Sequence, residues 1–159
     1  MKNNRAFSLL ECLLVIALLG VLLLVATPSL RELYQRHQLN TAVERLITAM
    51  HVARNAAITR GDIVQLCGSS DASHCDGQWS RGQLLRGEQS IIKIYPALPA
   101  YIKLNWRGSF GNKCQIVFNS QGFTSGQQGS FYFTTAFARV QLILLRTGRV
   151  RRVDLPTVA

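Results

Sequence analysis

Acidic residues are scarce in this sequence. Eight Asp and Glu stand against 18 Lys and Arg in 159 residues, a formal charge of +10. The acids are scattered and form no paired-carboxylate pattern, and no GxSxG, HExxH or P-loop spacing is present. These absences argue against an enzyme, and no cofactor or metal is called for. No internal repeat and no low-complexity tract occurs. The length then supports one globular domain with, at most, an appended helix.

What the chain has instead is arginine, with 14 Arg against 4 Lys. Guanidinium groups bind phosphate in a planar fork that an ammonium cannot copy. Charge this far from neutral suits a nucleic acid, an anionic membrane surface or an acidic partner.

Residues 1–6, MKNNRA, are short and basic. Phe7 to Ala26 follow, twenty residues whose only charged group is Glu11. Twenty apolar residues in a helix span about 30 Å, the thickness of a bilayer's hydrocarbon core. The basic leader holds the N-terminus in the cytoplasm and sends the rest outside. An ordinary secretory signal fits poorly: the run exceeds a usual h-region, and no small-residue cleavage site follows it. A carboxylate within such a run costs on the order of 3 kcal/mol unless paired, so Glu11 requires a reason.

A basic leader, a small residue, then Phe7-Ser8-Leu9-Leu10-Glu11 ahead of an apolar helix resembles the type III signal of type IV pilins and type II secretion pseudopilins. The resemblance implies cleavage by a prepilin peptidase between Ala6 and Phe7 and methylation of the new amine. It makes Glu11 the fifth mature residue, which in these families pairs with the N-terminal amine of a neighbouring subunit during assembly. A buried cation and a buried carboxylate relieve each other's desolvation. Pro28 stands where pilins commonly carry a proline that bends or melts the helix. Two positions depart from the pattern: Ala6 replaces Gly, and Ser8 replaces Thr.

Beyond Pro28, Leu30, Leu33, Tyr34, His37, Val43, Leu46, Ile47, Met50, Ala53, Ala57 and Ile58 recur at steps of three and four. This marks one apolar helical stripe, with Gly61 as its stop. His37 and His51 read as helix-surface or packing residues. From residue 62 short alternating runs predict strands at 62–67, 83–86, 90–95, 102–106, 114–118, 130–135, 139–145 and 149–155, separated by Gly, Ser, Asn and Pro clusters.

Of the four cysteines, Cys12 falls in the apolar run and behaves as a small hydrophobe. Cys67 and Cys75 flank a Gly, Ser and Asp-rich stretch that reads as a disulfide-closed loop if this part is extracytoplasmic. Cys114 is the alternative partner. A zinc site from Cys67, His74 and Cys75 lacks a recognisable ligand spacing.

The segment AVERLITAMHVARNAAITRGDIVQLC with its Cys-closed loop and Trp79-Ser80-x-Gly82 resembles the GspH/FimT family of minor pilins and pseudopilins. That implies an α+β, type IV pilin-like fold: a long N-terminal helix packed on a small antiparallel two-sheet head. The expected organisation is a cleaved leader (1–6), a transmembrane or filament-core half-helix (7–28), an amphipathic half-helix (29–61) and a β-rich extracytoplasmic head with a basic tail (62–159). The subunit would sit in the bacterial inner membrane, head in the periplasm, before joining other pilins in a filament at the cell surface.

The tail concentrates Arg139, Arg146, Arg149, Arg151 and Arg152, with no acid until Asp154. Thr147-Gly148 suits a tight two-residue hairpin turn. Arg146 and Arg149 would then face each other, with Arg151 on the same side. Like charges so placed repel mildly, which calls for a compensating external anion such as a phosphate array. Gly148-Arg149-Val150-Arg151 resembles the GRxR motif near the C-terminus of the family's DNA-uptake minor pilins. The resemblance makes Arg149 and Arg151 the principal DNA-binding residues, helped by Arg146 and Arg152, with Lys103 and Lys113 as possible extensions. Readout of DNA would be independent of its sequence, as needed for uptake in natural transformation. The alternative is a purely structural subunit, either a GspH-like pseudopilin of a type II secretion system or a minor pilin that primes pilus assembly. In that case the arginines are a solvated sheet edge that discourages strand pairing.

Overall fold

The computed structural model describes residues 9–88, 90–108 and 114–156. The processing residues Ala6 and Phe7, and Lys113, lie outside the described residues. The first compact unit ends at Gln35 and the second begins at Arg36.

One helix, α1 (Leu9–Arg60), contributes to both units. In the first unit its apolar side chains, Leu10, Leu14, Leu18 and Leu22 among them, are exposed. Among the described residues, no single helix is long and apolar enough to cross a membrane; the segments Leu9–Leu23 and Thr27–Arg60 taken together meet that test by length and composition. Pro28 lies inside α1, and the bend falls between Leu23 and Thr27. That is the turn in which a proline ring displaces the preceding carbonyl.

In the second unit α1 buries Leu39, Ala42, Val43, Leu46, Ala49, Met50, Ala53 and Ala57, one face at helical spacing. Of the expected stripe, Val43, Leu46, Met50, Ala53 and Ala57 are in place, whereas Leu30, Leu33, Tyr34 and Ile58 are exposed. His37 and His51 lie on the exposed side of the helix. The helix ends where Gly61 takes a φ of 66°, with Gly61 N–H bonded to Ile58 O (3.3 Å) and Asp62 N–H to Ala57 O (3.2 Å). This pair of hydrogen bonds closes the last turn in the Schellman manner.

Among the described residues eight strands follow, at every segment where alternation predicts one: β1 (Val64–Gly68), β2 (Gln83–Arg86), β3 (Ile91–Tyr95), β4 (Lys103–Gly108), β5 (Gln115–Phe118), β6 (Gly129–Thr134), β7 (Arg139–Leu144) and β8 (Val150–Leu155). They form two antiparallel four-stranded sheets, ordered β3-β2-β1-β5 and β4-β6-β7-β8. Leu66, Leu85, Ile116 and Phe118 from the first sheet share one core with Phe131, Phe133, Leu142 and Leu144 from the second and with the buried helix face. Phe131 lies at its centre, 4.8 Å from Trp79 edge-on and 4.3 Å from Trp106. Every residue of this core cluster lies at or beyond Leu39, within the second unit.

Cys67 and Cys75 form a disulfide with Cα atoms 5.6 Å apart, and Cys114 stands outside it. The loop they close is organised by Asp71, which accepts backbone N–H bonds from Ser73 and His74 (2.9 Å each).

Candidate nucleic-acid interface

Strand pairing decides where the tail arginines go. In the β7–β8 hairpin Leu144 pairs with Val150, Ile143 with Arg151 and Leu142 with Arg152. Leu145 N–H then bonds Arg149 O (2.9 Å), which leaves Arg146, Thr147 and Gly148 as a three-residue connection. Gly148 adopts φ 74°, the left-handed residue that such a connection requires. The turn is therefore one residue longer than the two-residue turn expected, and Arg146 and Arg149 do not face each other. Arg149 stands opposite Leu145, and Arg151 opposite Ile143. Long basic side chains can lay their methylene stems over such aliphatic neighbours while the charge stays in water.

Alternation then sorts the side chains. Val140, Leu142 and Leu144 of β7 are buried, so Arg149 and Arg151, in register with the alternate residues, fall on the sheet's outer face. Arg146, Arg149 and Arg151 are exposed, and no side-chain hydrogen bond or ion pair to another described residue holds any of their guanidiniums. Arg149 and Arg151 are two residues apart on one strand face, about 7 Å, which gives each guanidinium room for its own anion.

Arg152 does not join them. It pairs with Leu142, on the side of β8 turned toward α1, and it is engaged there. Its guanidinium reaches Asp154 Oδ1 (2.9 Å), Glu44 Oε1 (3.4 Å) and Asn40 Oδ1 (2.8 Å). The expectation that Arg152 helps the other three is corrected: it fastens the edge strand to the helix.

The outer face carries more charge than the tail alone. Across the sheet one row reads Arg107, Ser130, Ile143, Arg151, and another reads Lys103, Thr134, Arg139, Leu155. Between them lie Asn105, Tyr132, Gln141 and Val153. Arg107 sits over the Tyr132 ring at 5.4 Å, and Gln141 Nε2 donates to Ser130 Oγ (2.9 Å) and Tyr132 Oη (3.3 Å). No acidic residue occurs between Glu88 and Asp154. The result is a broad, neutral-to-basic sheet face. Lys103, anticipated as an extension, lies on it; Arg107 and the placement of Arg139 were missed, although alternation in β4 and β7 carried the signal.

Arg54 was also missed. From α1 it comes against the turn: a methyl group built on Gly148 would lie 3.4 Å from Arg54 Cδ, and one on Gly122 would lie 3.0 Å from its Nε. Nothing in the local sequence announces a contact made across the fold.

Ser73, His74 and Asp71 cluster in the disulfide loop without forming a catalytic relay. Ser73 Oγ (2.7 Å) and Asp71 Oδ2 (2.8 Å) both meet the same imidazole nitrogen, Nδ1. A relay needs them on opposite nitrogens. Hydrogen bonds from His74 and Ser73 hold the Asp71 carboxyl well below the usual carboxylate range. Among the described residues, no group of His, Cys, Asp and Glu is arranged to hold a metal.

Residues 42–153 match the family described as type II transport protein GspH, and residues 1–27 match the prokaryotic N-terminal methylation motif. The chain belongs to the GspH family. A fimbrial protein of Pseudomonas aeruginosa is 28% identical over 95 residues, which cover 59% of this chain and 61% of that protein. The chain thus spans less than two thirds of that relative's length. Among solved structures, the type IV minor pilin FimU of P. aeruginosa matches with a TM-score of 0.60 at 15% identity, over 74% of this chain and 89% of FimU. The minor pseudopilin EpsH of the Vibrio cholerae type 2 secretion system matches with a TM-score of 0.54 at 10% identity, over 74% and 97%. At these identities the likeness is one of fold: a long helix with an antiparallel two-sheet domain. This chain is accordingly a GspH-family member with the fold that the minor pilin FimU and the minor pseudopilin EpsH share.

Proposed function

We propose that this subunit captures DNA at the surface of a type IV pilus, for uptake in natural transformation, through Arg146, Arg149 and Arg151. One observation carries the reading. Three exposed guanidiniums, none held by a described partner, project from one turn and one sheet face in a stretch free of acids. The likeness of Gly148-Arg149-Val150-Arg151 to the GRxR motif of DNA-uptake pilins supports it. Arg forks on phosphate oxygens give affinity without sequence preference. Several copies along a filament would raise a modest single-site affinity through avidity.

Assembly follows the methylation-motif match. A prepilin peptidase cuts between Ala6 and Phe7 while the subunit is held in the inner membrane by residues 7–28, the head facing the periplasm. Glu11 then pairs with the methylated amine of a neighbouring pilin in the filament.

The test is titration of labelled duplex DNA with the full chain in non-ionic micelles. Binding at low salt with a Kd on the order of 1–100 μM is expected, and it should be markedly weaker in R149Q/R151Q. No binding by the unaltered chain would leave the structural pseudopilin or assembly-priming subunit, which the GspH-family match accommodates equally well.

A further inference from the structure

The β7–β8 turn does not stand alone. A cleft of about 520 Å³ separates it from the loop of residues 119–126, lined by Asn119, Gln121, Phe123, Ser125, Arg146 and Thr147. That volume falls within the range of ordinary small-ligand sites. Phe123 is 44% exposed, and no described aromatic ring packs on it. The backbone that carries the phenyl group is nevertheless held firmly. Asn119 Oδ1 accepts the N–H groups of Gln121 (3.1 Å) and Phe123 (2.9 Å), and Asn119 N–H bonds Phe123 O (3.0 Å). The next residue ties this loop to the arginine turn: Thr124 donates both its N–H (3.0 Å) and its hydroxyl (3.1 Å) to the Arg146 carbonyl. The backbones of Phe123 and Arg146 are thereby fixed beside one cleft that both residues line.

We infer that this cleft takes an unpaired nucleotide, with the base stacked on Phe123 and its phosphate on Arg146. The inference rests on the DNA-binding reading and adds a strand preference to it. A wetted aromatic face costs hydration in the free protein, a cost relieved when a flat partner covers it. Every base offers such a face, so stacking is tolerant of sequence, as phosphate contacts are. In a duplex the faces are already stacked on their neighbours and are closed to Phe123. Single strands, overhangs and gaps can present one. The polar groups of Gln121, Ser125 and Thr147 line the remaining cleft wall, where a base edge exposes donors and acceptors.

The experiment compares the full chain and two variants in non-ionic micelles, each titrated with labelled oligo(dT) and with a labelled duplex of equal length. The unaltered chain is expected to bind the single strand more tightly than the duplex. Phe123→Ala should weaken single-strand binding about ten-fold and duplex binding by less than roughly two-fold, because stacking on one aromatic is at stake. Phe123→Trp should retain or strengthen the single-strand preference. Equal losses on both strands, or no loss on either while the duplex still binds, overturn the stacking site and leave the arginine reading standing. Failure of the unaltered chain to bind either DNA overturns both.

Discussion

Replacing Arg149 and Arg151 together by glutamine perturbs two exposed side chains that touch no described polar partner, so the fold should be unaffected. The effect on DNA can be worked from the number of phosphates neutralised. With Arg146, Arg149 and Arg151 each taking one phosphate, the log–log dependence of affinity on salt has a slope of about −2.7; with Arg146 alone it is about −0.9. Raising salt from about 50 to about 200 mM then weakens the unaltered chain ~40-fold but the double variant only ~3-fold. Lys103, Arg107 and Arg139 on the same face would steepen both slopes by about 0.9 for each extra phosphate. They leave the difference between the two proteins near 1.8, so that difference is the quantity to measure. Fluorescence polarisation of a labelled duplex across four or five salt concentrations provides it. Equal slopes for the two proteins, whatever their absolute affinities, would refute the assignment of Arg149 and Arg151 to phosphate.

Three further outcomes follow from the same geometry. Arg152→Gln should lower stability by about 1 kcal/mol, the scale of a partly exposed ion pair, as read by urea denaturation, and should leave the salt slope of DNA binding unchanged. Gly148→Ala should destabilise by more than about 1 kcal/mol, because it combines strain at φ 74° with a methyl group 2.7 Å from the Gly122 carbonyl; thermal melting checks it, and Thr147→Ala serves as a control with no such conflict. Glu11→Ala should leave cleavage after Ala6 intact by mass spectrometry of the mature N-terminus while reducing incorporation into filaments, as scored by immunoblot of sheared pili.

The elements most legible in the sequence were those whose cause is local. Period-two alternation located all eight strands to within two residues at their starts, and steps of three and four found the central positions of the buried helix face. Gly61 marked the end of α1 because only a residue tolerant of positive φ closes that turn. The hairpin turn was misjudged by one residue. Thr147-Gly148 is a credible two-residue signal, but the turn is held from outside by Thr124, which grips the Arg146 carbonyl. Arg152 was misassigned for a similar reason. Within its own strand it looks like Arg151, and its partners Asn40 and Glu44 lie more than a hundred residues earlier. Arg54 and Phe123 were invisible as site residues, since each gains meaning only from what the fold sets beside it. The Cys67–Cys75 pairing, by contrast, was legible from proximity in sequence.

The most direct test of DNA capture by the outer arginines is an arginine footprint. The full chain in non-ionic micelles would be treated with an arginine-selective dicarbonyl reagent, with and without saturating duplex DNA, and modification at each arginine read by mass spectrometry. Protection of Arg146, Arg149 and Arg151, with Arg60 and Arg81 unchanged, is the predicted result. Unchanged modification at Arg149 and Arg151 under saturating DNA, or protection confined to other arginines, would contradict it.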